Sequence, residues 1–169
     1  MTTIFQARVA SDQLQQSKED VRRAERAQAS RVTFWTDGAV AQRLHVKNGS
    51  VDPVSDLTLA FRVYEELFGI RALRGLYVRT LPGLAPCSEF VIEKNMIELE
   101  GKPLSPRMDL RVAGVAFFDS NGKEWLRTAT LLTPSPADRE WWELGHWASP
   151  WEPVKLTKPP VVKPVSPCS

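Results

Sequence analysis

Apolar positions change their spacing at Arg31, and that change divides the chain. From Thr3 to Ser30 there is no proline or glycine. Gln13 to Gln28 is rich in Gln, Glu, Lys, Arg and Ala, which are good helix formers. Apolar residues fall at Ile4, Phe5, Val9, Leu14, Val21, Ala24 and Ala27, a thin stripe that predicts a polar helix. Such a helix either projects into solvent or pairs along a narrow seam, for which Val21, Ala24 and Ala27 are the candidates; the heptads are too few to specify a coiled coil.

Beyond Arg31 the period drops toward two. Val32, Phe34 and Trp35 open a strand, and Asp37-Gly38 turns it. Val40 to Lys47 continues as a second strand, with Gln42, Leu44 and Val46 alternating against Ala41, Arg43 and His45. Asn48-Gly49-Ser50 closes that strand, and Val54 to Tyr64 predicts a third, with Leu57, Leu59, Phe61 and Val63 on one parity. Glu65 to Leu84 reads either as a helix followed by a strand or as strands broken at Gly69 and Gly75; the close spacing of turn residues favours strands. Leu81-Pro82-Gly83 predicts a type II turn. Ser88 to Lys94 and Met96 to Glu100 read as strands flanking Asn95. The firmest signal is Leu110 to Pro134, two strands folded on Asp119-Ser120-Asn121-Gly122, whose Asn and Gly suit a tight loop. Seven to nine short strands with turn chemistry between them predict an all-β fold, an immunoglobulin-like antiparallel β-sandwich.

From Ser135 the character shifts again. Trp141, Trp142, Trp147 and Trp151 place four tryptophans within eleven positions, and five prolines follow between Glu152 and Ser169. This predicts an irregular Trp/Pro-rich tail, partly extended or disordered. The organisation expected is a helix over 1–30, a β-sandwich over 31–134 and the tail over 135–169.

Composition narrows the function classes. Of the 169 residues, 43% are hydrophobic and 25% charged, and the net charge of +2 is too small and too evenly spread to argue for nucleic acid. No run of about 18 apolar residues occurs, and the N-terminus lacks a basic region followed by an apolar core. The expectation is therefore a protein that does not insert in a membrane and resides in the cytoplasm. Cys87 and Cys168 form no disulfide framework. Cys168 lies in a proline-rich stretch with little to hold it in bonding geometry, so both are expected to be reduced.

Few residues carry chemistry. His45 and His146, about a hundred positions apart, do not have zinc spacing, and no metal or cofactor is expected. Cys87 sits in no nucleophile motif, and Cys87–His45 catalysis is rejected. Glu65, Glu66, Glu98 and Glu100 are more readily a solvated face than paired catalytic carboxylates. Arg71, Arg74 and Arg79 around Tyr77 hint at an anionic ligand. The tryptophans either cover a sheet or anchor a protein partner.

Two motifs carry a resemblance. Leu44-His45-Val46-Lys47-Asn48-Gly49-Ser50 with Asp52-Pro53-Val54, and Phe117-x-Asp119-x-x-Gly122-x-x-Trp125-x-Arg127, resemble a group of small, mostly uncharacterised actinobacterial proteins. These have an immunoglobulin-like β-sandwich behind an N-terminal helix. The match spans about Ala27 to Thr133; it implies a fold and no activity, and its motifs mark folding. Many members carry transmembrane helices ahead of the sandwich, and this chain departs from them there.

The function expected is a non-catalytic protein-interaction or scaffold module. Trp141, Trp142, Trp147 and Trp151 would serve as partner-binding residues, and Val21 and Ala24 as a self-association seam. The alternative is a small-ligand binder or hydrolase using a pocket near Glu65–Leu84, which would bring Arg71, Arg74, Tyr77 and a carboxylate together.

Overall fold

The computed structural model describes residues 2–39, 42–134 and 152–168, with side chains from Val9 onward. Helix α1 covers Thr2–Ser30 and runs almost directly into β1 (Val32–Asp37). β2 (Arg43–Asn48), β3 (Ser55–Leu67), β4 (Ile70–Leu81) and β5 (Ser88–Glu93) follow. A single 3-10 turn at Lys94–Met96 leads to β6 (Ile97–Leu99), β7 (Lys102–Pro103), β8 (Met108–Phe118), β9 (Glu124–Arg127) and β10 (Leu132–Pro134). The last described segment supplies β11 (Glu152–Pro153), β12 (Lys155–Leu156) and β13 (Val161–Pro164). No helix among the described residues is long and apolar enough to cross a membrane.

The strands form a four-stranded sheet, β1-β2-β5-β13, a six-stranded sheet, β10-β9-β8-β3-β4-β11, and a small sheet, β12-β6-β7. Pairing is antiparallel except where β11 runs parallel to β4. The two larger sheets bury one shared core. Val32, Leu44, Val46, Phe90 and Ile92 enter it from one side; Leu57, Leu59, Phe61, Val63, Leu110, Val115, Phe117 and Trp125 enter from the other. The alternation read along β3 is thus the alternation that fills the interior.

Both motifs of the resemblance are buried polar staples. The Asn48 amide is fully buried and donates to the carbonyls of Asp52, Leu84 and Ala85, at 2.8, 3.2 and 3.2 Å. Its oxygen accepts from the Ser50 backbone N–H and hydroxyl. One side chain therefore satisfies the backbone where β2 ends and where the chain between β4 and β5 passes. Asp119 does the same for the β8–β9 turn, accepting from the backbone N–H groups of Asn121 and Lys123 and from Trp125 Nε1 at 2.8 Å.

Several expectations need correction. Gly69 separates two strands of the Glu65–Leu84 segment as expected, but Gly75 does not break the second. Phe68 and Gly69 form a two-residue turn at positive φ, 54° and 77°, and β4 runs through Gly75. Gly75 leaves room for a ring: a Cβ there would stand 2.7 Å from the Tyr77 phenol oxygen, so the Tyr77 side chain would have to shift. Gly83 does not take the positive φ of a type II turn. It instead admits the Val54 carbonyl, 2.7 Å from where a Cβ would be, beside the bridge between Val54 and Leu84. The strand after the β8–β9 turn ends at Arg127, and Thr128 and Leu131 reverse it into β10.

The largest corrections concern the cysteines and the tail. Cys87 and Cys168 form a disulfide, with Cα atoms 5.3 Å apart across 81 residues. The contacts missing from the sequence reading come from strand pairing. β13 pairs with β5 from Val161↔Val91 to Pro164↔Ser88, and the Val165 N–H then donates to the Cys87 carbonyl. β11 and β12 tie the same segment to β4 and β6. Residues 152–168 are thus a strap of short strands, which tolerates prolines because each of them lies at the edge of its sheet.

Candidate functional site

The pocket expected near Glu65–Leu84 assembles only in part. Glu65, Arg74, Tyr77, Glu100 and Glu152 line a cavity of about 410 Å³. Arg74 lies 3.5 Å from Glu65 and 3.8 Å from Glu100. Burial, followed by the Glu152 charge, pushes the Tyr77 phenol up from its ordinary value. Arg71 is not there; it pairs with Asp109 and stacks over the Tyr64 ring at 4.7 Å. Arg79 reaches the Val154 carbonyl at 3.2 Å. One arginine among three carboxylates is the wrong balance for an anionic ligand.

Two other polar clusters were not foreseen. His45 is buried at 7% exposure, stacked on Trp35 with ring centroids 4.8 Å apart. Its Nδ1 meets Glu89 and its Nε2 lies 3.3 Å from Asp37. Asp37 is held below its ordinary value, first by hydrogen bonding to Arg43, which donates from Nε and Nη2 at 2.9 and 2.8 Å. Lys94 is also buried, which pushes its ammonium below its ordinary value, and it donates to the carbonyls of Pro106 and Met108 at 3.2 and 2.8 Å. It borders a cavity of about 550 Å³ with Gln42, Arg43, Glu93 and Asn95, but its donors are directed at the loop that leads into β8. Cys87, being disulfide-bonded, has no thiol to act as a nucleophile. Among the described residues no group of three or more His, Cys, Asp or Glu is placed to hold a metal ion.

The anomaly with most consequence is the tip of the β3–β4 hairpin. Pairing of β3 with β8 ends at Glu65↔Met108, so Leu67 to Ile70 stand past the third strand. There Phe68 is 103% exposed, Ile70 70%, Leu67 46% and Leu73 40%. At the usual side-chain areas this is on the order of 450 Å² of apolar surface, the size of patch that on a soluble protein is often functional. Strand alternation gives the tip two unlike flanks. Away from the core, Arg62, Arg71 and Arg111 gather around Tyr64 with Glu66 and Asp109, three cations against two carboxylates. Toward the core side, Arg74 faces Glu65, Glu100 and Glu152. The sequence held a signal for this tip: Phe68 and Ile70 straddle the turn glycine, where polar residues are the norm.

The expected docking residues stand elsewhere. Val21, Ala24 and Ala27 are exposed on α1, as are Val9 and Leu14. The helix meets the body near its end, where Glu25 pairs with Lys123 at 2.7 Å and Gln28 bonds the Pro53 carbonyl and the Ser120 hydroxyl. Trp141, Trp142, Trp147, Trp151 and His146 lie outside the described residues. No protein-family model, curated protein or solved structure matches this chain.

Proposed function

We propose that the protein is a non-catalytic interaction module, an immunoglobulin-like β-sandwich that docks through the apolar tip of its β3–β4 hairpin. The observation that carries this is Phe68, fully exposed at a two-residue turn, with Ile70, Leu67 and Leu73 partly exposed beside it. A large ring held in water at a hairpin tip costs solubility and contributes nothing to the core, which is the profile of an interface anchor. The strand orders support the immunoglobulin-like reading. β1-β2-β5 and β9-β8-β3-β4 correspond to A-B-E and G-F-C-C′, and β13 takes the place beside E that strand D otherwise fills. The actinobacterial resemblance points to the same fold. In this proposal the four tryptophans and the Val21–Ala24 face of α1 are secondary docking elements.

The Cys87–Cys168 bond weighs against the reducing cytoplasm expected from the sequence and favours an oxidising compartment. The docking claim is tested by presenting oxidised wild-type protein and a Phe68→Asp/Ile70→Asp variant to the same extract, then repeating the binding with the purified partner. A partner held by the wild type and lost by the variant supports the module. An identical set retained by both overturns the tip as its docking site.

A further inference from the structure

We propose that the cavity beside Lys94 binds a small organic monocarboxylate with an apolar body, whose carboxylate supplies the counter-ion that Lys94 lacks among the described residues. This site is independent of the hairpin tip. The cavity, about 550 Å³, lies where β2 begins and β5 ends, bounded by the loop that leads into β8. That volume is within the range of pockets that hold small ligands.

Lys94 carries the argument. It is 5% exposed, and of its three N–H donors two are spent on the Pro106 and Met108 carbonyls. Pro106 is itself on the wall, so the head group is fixed at the margin of the cavity. Carbonyl oxygens satisfy donors without balancing a charge, and a buried ammonium without a counter-ion is costly. Burial alone pushes this ammonium below its ordinary value, with no acidic neighbour pushing it back. The acids nearest in sequence are engaged elsewhere. Asp109 accepts from Gln42 and pairs with Arg71 and Arg111, and the charge of Glu93 bears on Arg43. Arg43 is in turn held by Asp37, which leaves Lys94 as the unbalanced cation of this wall.

The same wall selects the ligand. One unbalanced cation beside the Glu93 carboxylate suits a single negative charge better than a phosphate dianion. Leu104, Pro106 and the Lys94 stem offer apolar surface to the rest of the molecule.

Amide NMR of the oxidised full chain tests this with three probes: phenylacetate, its neutral isostere phenylacetamide, and inorganic phosphate. Phenylacetate is expected to move the Gln42, Asn95 and Leu104 signals saturably, with phenylacetamide and phosphate at least about tenfold weaker. Lys94→Met keeps the apolar stem and should weaken phenylacetate binding at least about tenfold. Lys158→Met, at an exposed lysine of the strap, should not. In the wild type, the Lys94 Cε signal should titrate at higher pH with phenylacetate bound, because a carboxylate favours the ammonium; phenylacetamide should leave it in place. That measurement decides the matter if Lys94→Met does not fold. No saturable shift with phenylacetate, equal binding of acid and amide, tighter binding of phosphate, or an unmoved Lys94 titration overturns the site. A folded Lys94→Met that binds phenylacetate as the wild type does, or a Lys158→Met that loses it, overturns it as well.

Discussion

Replacing Cys87 and Cys168 together with serine removes the one covalent tie across the strap, and its effect follows from the loop that tie closes. The cross-link joins residues 81 apart, which in the chain-entropy description restricts the unfolded ensemble by about 4.5 kcal/mol at 25 °C. Measured disulfides often contribute less, so a loss of about 3–4 kcal/mol is expected, lowering the melting temperature by roughly 10 °C for a chain of this size. The native fold itself should persist, since β11, β12 and β13 still pair and a serine hydroxyl at position 168 remains within reach of the Gly49 and Ser50 carbonyls. Urea unfolding followed by tryptophan fluorescence would show an earlier midpoint and a steeper m-value, because the freed unfolded chain exposes more surface. Equal stability of the two proteins within about 1 kcal/mol, or two titratable thiols in the unreduced wild type, would refute the reasoning.

Three further outcomes test the remaining structure. Asn48→Ala should cost about 3 kcal/mol in urea unfolding, because it strips the Leu84 and Ala85 carbonyls and the Ser50 N–H of their buried partner; a loss below about 1 kcal/mol would mean that water replaces the amide. Gly75→Ala should cost about 1–3 kcal/mol and displace the Tyr77 ring, visible as changed near-ultraviolet circular dichroism; an unperturbed spectrum would contradict the close approach. Asp37 has a depressed pKa, so its contribution to stability is present above the ordinary carboxylate value and is lost as pH falls through the folded value. An NMR titration should place Asp37 low in the wild type and return it toward normal in Arg43→Gln; identical titrations would remove Arg43 as the cause.

Much of the fold was legible because its signals are local. The alternation of Leu57, Leu59, Phe61 and Val63 states which face of β3 is buried, and Asn121-Gly122 states where β8 turns back. What stayed hidden depends on partners far away in sequence. Val161 to Pro164 reads as proline-rich coil by itself and becomes a strand only because β5 offers an edge, and Cys168 reaches Cys87 only through that pairing. The docking tip lay between these cases. Leu67-Phe68-Gly69-Ile70 is visible as an apolar stretch, but its exposure depends on β8 beginning opposite Glu65. Lys94 and His45 gave no sequence sign of burial, since each is covered by distant segments.

The position of β13 also bears on how the molecule is made. On a ribosome, β5 emerges some seventy residues before the strand that flanks it, so Ser88–Glu93 leaves the exit tunnel with one side of its backbone unpaired. The four-stranded sheet can be finished only after Pro164 is released, and oxidation of the cysteine pair has to follow that step. In that interval the bare β5 edge is the place where a newly made chain is most open to pairing wrongly with a neighbour.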